Sequence, residues 1–592
     1  MTKRQGSNSQ QVGRGLRTRV RSLPLGLVAV LFLVVLAGCT LPASPDQFGT
    51  DREYGDLGEY SPEDRFAFDE GATADLTETE LEQAKYRAMA RIEVIRGLRF
   101  EHDVELEVIT RETYREQRGD SGTASPFVNE FWRGTFVVDG ETDVNQELDA
   151  LYAGAVQGYY TDDRIVIVTD VADDGVRIDR DTLVHELVHA LQDQHFGLTR
   201  EGETLDERRA ELGLIEGEAN YVPELYDERC GEQWQCLDAT VPTDASTPDA
   251  ADGTGGEADV DDDDEANSDT DANEINPGLF LSIYAPYAMG PEFVASLHER
   301  GGWDAVDAAY DDRPTSTAQL IDPERYPDGE PVTVDVPDRS SAAWEPITVG
   351  GESDEPRTDT VGEATLFATL WANGVIDRPL AAGAPEHSPY NYSAPETDGW
   401  EGDTFQVYQQ VNADADADTD ADTDTDADTD TDTDTDTDTD TDVDVDEDED
   451  ESGGSDDDDS GERDDNHEND DSQHAFVWKL TWDSPDEATT FADAYRTLLA
   501  THGATLEDTT SPTATQQTVH HIPDNDPFAG GYAVSVSDDT VTIVGAPTTA
   551  ALESVHDTVP TPIPESTAIA APPSASTAGN TGPSASPVPA AP

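Results

Sequence analysis

Two stretches of this 592-residue chain hold almost nothing from which a core could be built. Residues 238–274 centre on Asp261-Asp262-Asp263-Asp264, and residues 411–474 are dominated by Asp-Ala and Asp-Thr repeats. Segments so poor in apolar groups cannot offset the entropy of ordering their backbone, so both are expected to be disordered insertions. Any fold must therefore be assembled across them. The second stretch lies between Thr404–Gln410 and Ala475–Trp482, and both of those read as strands. We expect it to be extruded from between two neighbouring strands, because a long insertion costs little loop entropy when its ends already lie close.

Acidity is not confined to these stretches. Asp+Glu number 130 against 33 Lys+Arg, a formal net charge of −97. Acids also crowd 299–312 and 483–493, which look folded. A chain this acidic lacks the basic footprint that phosphate contacts require, which argues against nucleic acid as a partner. The charge keeps a protein hydrated where salt screens self-repulsion, and we read it as adaptation to high salt.

The N-terminus reads as an export signal. Residues 3–21 carry Lys3, Arg4, Arg14, Arg17, Arg19 and Arg21 and no acid, and an apolar run follows from Leu23 to Ala37. That run is short for a membrane span and has the layout of a secretory signal. It ends in Leu36-Ala37-Gly38-Cys39, which resembles a lipobox. The resemblance implies a signal peptide over 1–38 and lipidation of Cys39. It also implies a protein tethered to the membrane at the cell surface. Residues 39–75 read as a polar stalk, and 559–592, rich in Pro, Ser, Ala and Thr, as a disordered tail. Outside the cell, Cys230 and Cys236 are a plausible disulfide pair. Asn391-Tyr392-Ser393 matches a glycosylation acceptor pattern.

Between these segments the pattern is of α+β type. Helical spacing runs from Leu76 to Phe100, from Glu147 to Gln157, from Leu183 to Gln194, over Trp303–Tyr310, over Val361–Asn373 and over Glu487–Leu499. Asp181 or Thr182 is a candidate cap for the third of these. Residues 279–300 read as helix interrupted near Pro286 and Pro291. Val104–Val108 alternates as a half-buried strand, and Arg164–Val168 and two runs within Gly531–Val544 are further strands.

The chemistry is concentrated in His185-Glu186-Leu187-Val188-His189. Residues four apart on a helix lie one turn apart on one face, so both imidazoles can reach a single zinc ion. Zinc lowers the pKa of a bound water to about 7, and Glu186 is placed to take its proton as general base. Leu183, Val184, Leu187, Val188 and Leu191 supply burial on the other faces. Three residues compete to be the third ligand. His195 has the spacing of the metzincin pattern, but Gln192 stands where that pattern has its helix-ending glycine. Glu216 and Glu218, in Leu214-Ile215-Glu216-Gly217-Glu218-Ala219-Asn220, have the carboxylate and second-helix setting of the gluzincin arrangement, and Glu216 is preferred. Asn220 and Asp193 are candidates for supporting the ligands by hydrogen bonds. Tyr159, Tyr160 and Tyr221 are candidates for stabilising an oxyanion.

Together, Gly158-Tyr159-Tyr160, the strand 164–168, HELVHALQDQHF (185–196) and LIEGEA (214–219) resemble a family of secreted zincin-like proteins with HExxHALQDQH and a downstream EGxA. The likeness continues through Tyr287–Gly290, Gly301–Trp303, Pro314–Gln319, Asp322–Tyr326, Gly399–Asp403 and Trp482-Asp483. With the acidity and the lipobox, the chain looks like a haloarchaeal surface lipoprotein of that kind. The resemblance implies a zincin-like metallopeptidase fold with a catalytic part over 76–237, a helical continuation over 275–410 and a small α/β segment over 475–558 packed on the core. It further implies that strand 164–168 is the sheet edge that pairs with an extended peptide. Two functions remain open. One is a surface zinc metallopeptidase acting on peptides or proteins, and the other is a non-enzymatic surface protein that keeps the fold for binding or structure.

Overall fold

Thr77 and Glu80 close a reciprocal capping box at the start of α1 (Glu78–Arg96), and Gly97 ends it in the left-handed region. The structure is a computed structural model. It describes residues 48–49, 51–70, 76–119, 121–161, 163–169, 178–237, 275–350, 353–411, 473–507 and 517–559. The expectations for the signal peptide, Cys39, 238–274, 412–472 and 560–592 lie outside these residues.

Helix α1 buries Ala84, Ala88, Met89, Ile92 and Ile95, and with them Arg87, Arg91 and Arg96. Each buried guanidinium has partners, as burial of charge demands. Arg87 pairs with Asp69, Arg91 bonds the Pro62 carbonyl and the Tyr226 hydroxyl, and Arg96 pairs with Glu218 and Asp307. This corrects the reading of 39–75 as stalk. Residues 51–70 fold onto α1, with Leu57 and Phe68 buried and Arg52 paired with Glu93. Charges that suggested a solvated segment are instead matched to charges on the helix.

β1 (Glu105–Thr110), α2 (Arg111–Arg118), α3 (Pro126–Gly134), α4 (Val144–Ala155), β2 (Gly158–Thr161) and β3 (Arg164–Thr169) follow. The three strands make a sheet of order β1-β3-β2, with β3 parallel to β1 and antiparallel to β2. Strand 164–168 is therefore the centre of the sheet and not an edge, which corrects that expectation. Its continuous Ile165–Val168 run is buried throughout, as a central strand covered on both faces should be. The edges are β1 and β2.

α5 (Arg180–Phe196) starts at Asp179, whose carboxylate accepts from Thr182 N at 3.0 Å. Neither Asp181 nor Thr182 is the cap; Asp181 pairs with Arg180. α6 (Leu205–Asp227) follows, capped by Thr204. α7 (Pro277–Gly301) runs unbroken through Pro286 and Pro291, against the expected interruption. Each internal proline costs on the order of 3 kcal/mol. Burial of Leu281, Ala285, Met289, Phe293 and Val294 offsets it. α8 (Trp303–Asp311) and α9 (Thr317–Ile321) complete this helical layer. Among the described residues no helix is long and apolar enough to cross a membrane.

The remaining elements are β4 (Trp344–Pro346), β5 (Thr348–Gly350), β6 (Ser353–Pro356), β7 (Thr358–Asp359), α10 (Gly362–Ala372), β8 (Trp400–Gln410), β9 (His474–Trp482), α11 (Pro485–Thr501), β10 (Thr505–Leu506), β11 (Thr518–Ile522), β12 (Gly530–Ser537), β13 (Thr540–Ala546) and α12 (Leu552–Val555). Eight strands form one sheet of order β10-β11-β12-β13-β9-β8-β4, with β7 also on β8. Region 275–410 is thus not simply helical, and 475–558 joins the core through a shared sheet, because β8 and β9 are neighbours. Gln409 pairs with His474, and Gln410 N donates to the Gln473 carbonyl at 2.9 Å. Residues 411 and 473 therefore sit side by side, which is the closure expected of the strands that flank the repeat. Asp403 ties this sheet to the helices by accepting from Val361 N, Gly362 N and the indoles of Trp400 and Trp478. One core joins α3, α7, α10, α11 and the large sheet, and a second lies among α1, α5, α6 and the small sheet.

Candidate metal centre

Helix α5 is held by its apolar faces. Leu183, Val184, Leu187, Val188 and Leu191 are each at most 2 % exposed. That packing turns His185, Glu186 and His189 toward a cavity of about 530 Å³. The two imidazole Nε2 atoms lie 3.0 Å apart, as a helical turn between them allows.

Glu216 comes from α6. Its Oε2 is 3.3 Å from His185 Nε2 and 3.5 Å from His189 Nε2, and it is buried without a hydrogen-bond partner. Ligand atoms of the three residues all lie within 4.8 Å of one another. Two imidazoles and an orphaned carboxylate oxygen directed at one point are a donor set that fits a divalent cation. Burial pushes the Glu216 carboxyl up, but His189 and His185 outweigh it and hold it well below the usual range. Burial works against charge on His189, yet Glu216 and then Glu186 carry its pKa up to about 9. Glu186 is itself buried, and that burial raises its carboxyl above the ordinary value against the pull of both histidines.

Three glycines place Glu216. A Cβ on Gly217 would lie 2.3 Å from the Gly290 carbonyl oxygen, and one on Gly290 would lie 2.2 Å from that of Gly213. Helices α6 and α7 therefore cross backbone to backbone, which only glycine permits. The crossing also sets Tyr287, one turn before Gly290, against Glu216. The charge of that carboxylate, with burial, raises the tyrosine well above its usual pKa.

The other candidates lie elsewhere. His195 Nε2 is 2.8 Å from the Arg99 carbonyl, off the cluster. Glu218 is taken by Arg96 and by the Tyr310 hydroxyl. Asn220 does not support an imidazole; its Nδ2 donates to the Glu216 carbonyl at 2.8 Å. Asp193 accepts from the Tyr160 hydroxyl at 2.9 Å, away from the His185–His189 pair. Tyr221 stands 3.3 Å from His298 Nδ1, while Tyr159 and Tyr160 line the cavity. Cys230 and Cys236 are joined by a disulfide. Asn391 Nδ2 donates to the Ala382 carbonyl at 3.1 Å, so its amide already has a partner in the fold.

Sequence reasoning missed the group that supports His189. Gln192 Oε1 lies 2.9 Å from His189 Nδ1, and Gln192 Nε2 donates to the Ile215 carbonyl and the Tyr310 hydroxyl, each at 2.8 Å. Its position three residues past His189 was a usable signal, since such residues are neighbours on a helix. Tyr287 left no local signal, because only the glycine crossing brings it to the site.

A family described as a domain of unknown function (DUF8575) matches residues 347–441 and 460–556. The matched stretches contain β8, β9 and most of the large sheet, and none of His185, Glu186, His189 or Glu216. No curated protein matches the chain. No solved structure matches it either.

Proposed function

We propose that this chain is a zinc-dependent metallopeptidase of zincin-like build. In this reading it is exported, tethered through Cys39 to the surface of a salt-adapted cell, and acts on peptides or proteins. The observation that carries the reading is the convergence of His185, His189 and the unpartnered Glu216 Oε2 from two helices, with Glu186 beside them. His185, His189 and Glu216 would hold the ion. When bound there, zinc supplies a Lewis acid that polarises a carbonyl and makes water acidic near neutral pH.

The chain's own residues do the rest. Glu186, whose carboxyl is raised by burial, takes a proton from the attacking water and returns it to the leaving amine. Tyr287 remains protonated and keeps its hydroxyl beside the reacting centre. Gln192 holds His189 in one orientation. The outer edge of β2, carrying Tyr159 and Tyr160 on the cavity wall, takes over the peptide-pairing role expected of strand 164–168.

The test is metal content followed by turnover. Elemental analysis of the purified chain in molar KCl should give one zinc per chain. Hydrolysis of an unstructured protein should then fall by roughly a hundredfold or more in Glu186→Gln, the range for a general base. Zinc bound with equal, negligible turnover before and after that change would move the protein to the non-enzymatic reading.

A further inference from the structure

We infer that the cavity selects acidic peptides, seating a substrate carboxylate against a wall of arginines beside the metal cluster. The identity of the substrate class rests on the peptidase reading; the binding of acidic groups does not.

Charge on the wall runs opposite to charge on the chain. Arg118, Arg200, Arg208, Arg209 and Arg357 line the cavity. Apart from Glu186 and Glu216 its lining has one acid, Asp359, which already accepts from Leu205 N and Thr360 N. The chain as a whole has 33 basic residues against 130 acidic ones. Gathering five arginines against three acids, two of them in the metal cluster, in such a chain is a departure that solubility does not explain.

Arg357 and Arg209 are held by rings and hydroxyls and not by paired carboxylates, and Arg118 by a ring together with Asp149. The Arg357 guanidinium lies 4.5 Å over the Phe127 ring and makes no hydrogen bond or ion pair among the described residues. Arg209 is buried, stacks on Trp132 at 5.5 Å and donates to Ser282 Oγ and Thr365 Oγ1 at 2.8 and 2.6 Å. Arg118 lies over Tyr152 at 4.7 Å with its Nε buried and unbonded, and reaches Asp149 at 3.4 Å. Rings fix the planes of these guanidiniums while leaving N–H donors for a ligand. A planar fork of that kind pairs with a carboxylate through two parallel bonds. Salt screens exposed charges over several ångströms but screens partly buried contacts far less. In concentrated salt, long-range repulsion from the acidic surface is therefore suppressed and the contacts inside the cavity persist. The aromatic walls accept an apolar side chain next to the acidic one.

Binding tests this apart from catalysis. The full-length Glu186→Gln chain in molar KCl is titrated into fluorescent peptides that differ only in Glu, Gln or Lys beside a phenylalanine, each with a free or an amidated C-terminus. The Glu peptide is expected to bind about 10-fold tighter than its Gln twin, one charge-assisted pair's worth, and the Lys peptide weaker still. If the preference instead follows the free C-terminus, the captured carboxylate is the chain end, and the arginine wall is still its receptor. Arg357→Gln should erase most of the preference in a protein that its melting transition shows to be folded, and Arg357→Lys should keep part of it. Equal affinity for all peptides, no binding of any, or a preference untouched by Arg357→Gln in a folded protein would overturn the inference. Acidic binding without Glu186-dependent cleavage by the unmutated chain would retire the peptidase reading alone. Cleavage without acidic preference would retire only this one.

Discussion

Gln192 grips His189 from behind: its Oε1 lies 2.9 Å from the imidazole Nδ1. The orientation of that carboxamide is not free. Its Nε2 donates to the Ile215 carbonyl on α6 and to the Tyr310 hydroxyl on α8, and that hydroxyl donates in turn to Glu218, the partner of Arg96 on α1. Oε1 must therefore accept from Nδ1–H, so that whenever the ring is neutral it is Nε2 of His189 that carries the lone pair on the side of Glu216. Four helices thus determine one tautomer.

Removing that grip should weaken metal binding before it unfolds the protein. In Gln192→Leu we expect metal affinity to fall about 10- to 100-fold. Stability should drop by about 1–3 kcal/mol, because the Ile215 carbonyl and the Tyr310 hydroxyl lose a donor. Competition against a chromophoric chelator measures the first, and denaturant unfolding the second.

The assignment of the third ligand separates cleanly by variant. Glu216→Gln should lose the bound metal, whereas His195→Asn should keep full stoichiometry. Glu218→Gln should also keep the metal. Its cost should appear as instability of about 3–5 kcal/mol, because Arg96 is left as a buried charge with its main partner neutralised. Metal retained in Glu216→Gln and lost in His195→Asn would reverse the assignment.

The glycine crossing should tolerate change unequally. Gly217→Ala drives a methyl into the Gly290 backbone, which moves only if a helix moves, so we expect about 1–3 kcal/mol of lost stability and weaker metal binding. Gly213→Ala meets the end of the Leu320 side chain instead, which can turn aside, and should be milder. Thermal melts and metal content of the two variants check the order.

Glu363 makes a pH prediction. Burial pushes its carboxyl from 4.5 up to about 8, against the pull of Arg325. Below pH about 4 both folded and unfolded chains hold this proton, and the group is neutral in the balance. Between there and about pH 8 only the folded chain holds it, so stability falls as pH rises through that window. Glu363→Gln removes this dependence. We expect the variant to match the unmutated chain near pH 4 and to exceed it by about 5 kcal/mol near pH 9. Unfolding midpoints at pH 5, 7 and 9 in molar KCl would show the gap opening, and a constant gap would rule the explanation out.

Much of the secondary structure was readable because it rests on local pattern. Periodic apolar residues announced α1, α5, α10 and α11, and alternation at Val104–Val108 announced β1. Where local rules misled, packing won. Pro286 and Pro291 should break a helix, yet α7 continues because its buried face is worth more than two missing bonds. Arg87, Arg91 and Arg96 look like surface residues in sequence, and are core because each meets its partners there. The glycines of Leu214–Ala219 and of Tyr287–Gly290 were visible as motifs, but their purpose was not, since each exists to let the other's backbone approach.

The sequence alone determined that His185 and His189 share one helical face with Glu186 beside them, because the spacing of a helix is a local property of the backbone. It also determined that 412–472 joins two strands, because the apolar pattern stops and resumes around it. Only the tertiary structure decided which distant carboxylate meets those histidines, which side chain steadies them and which strand forms the sheet edge. Those outcomes depend on how helices and strands far apart in the chain pack together, and no window of neighbouring residues carries that information.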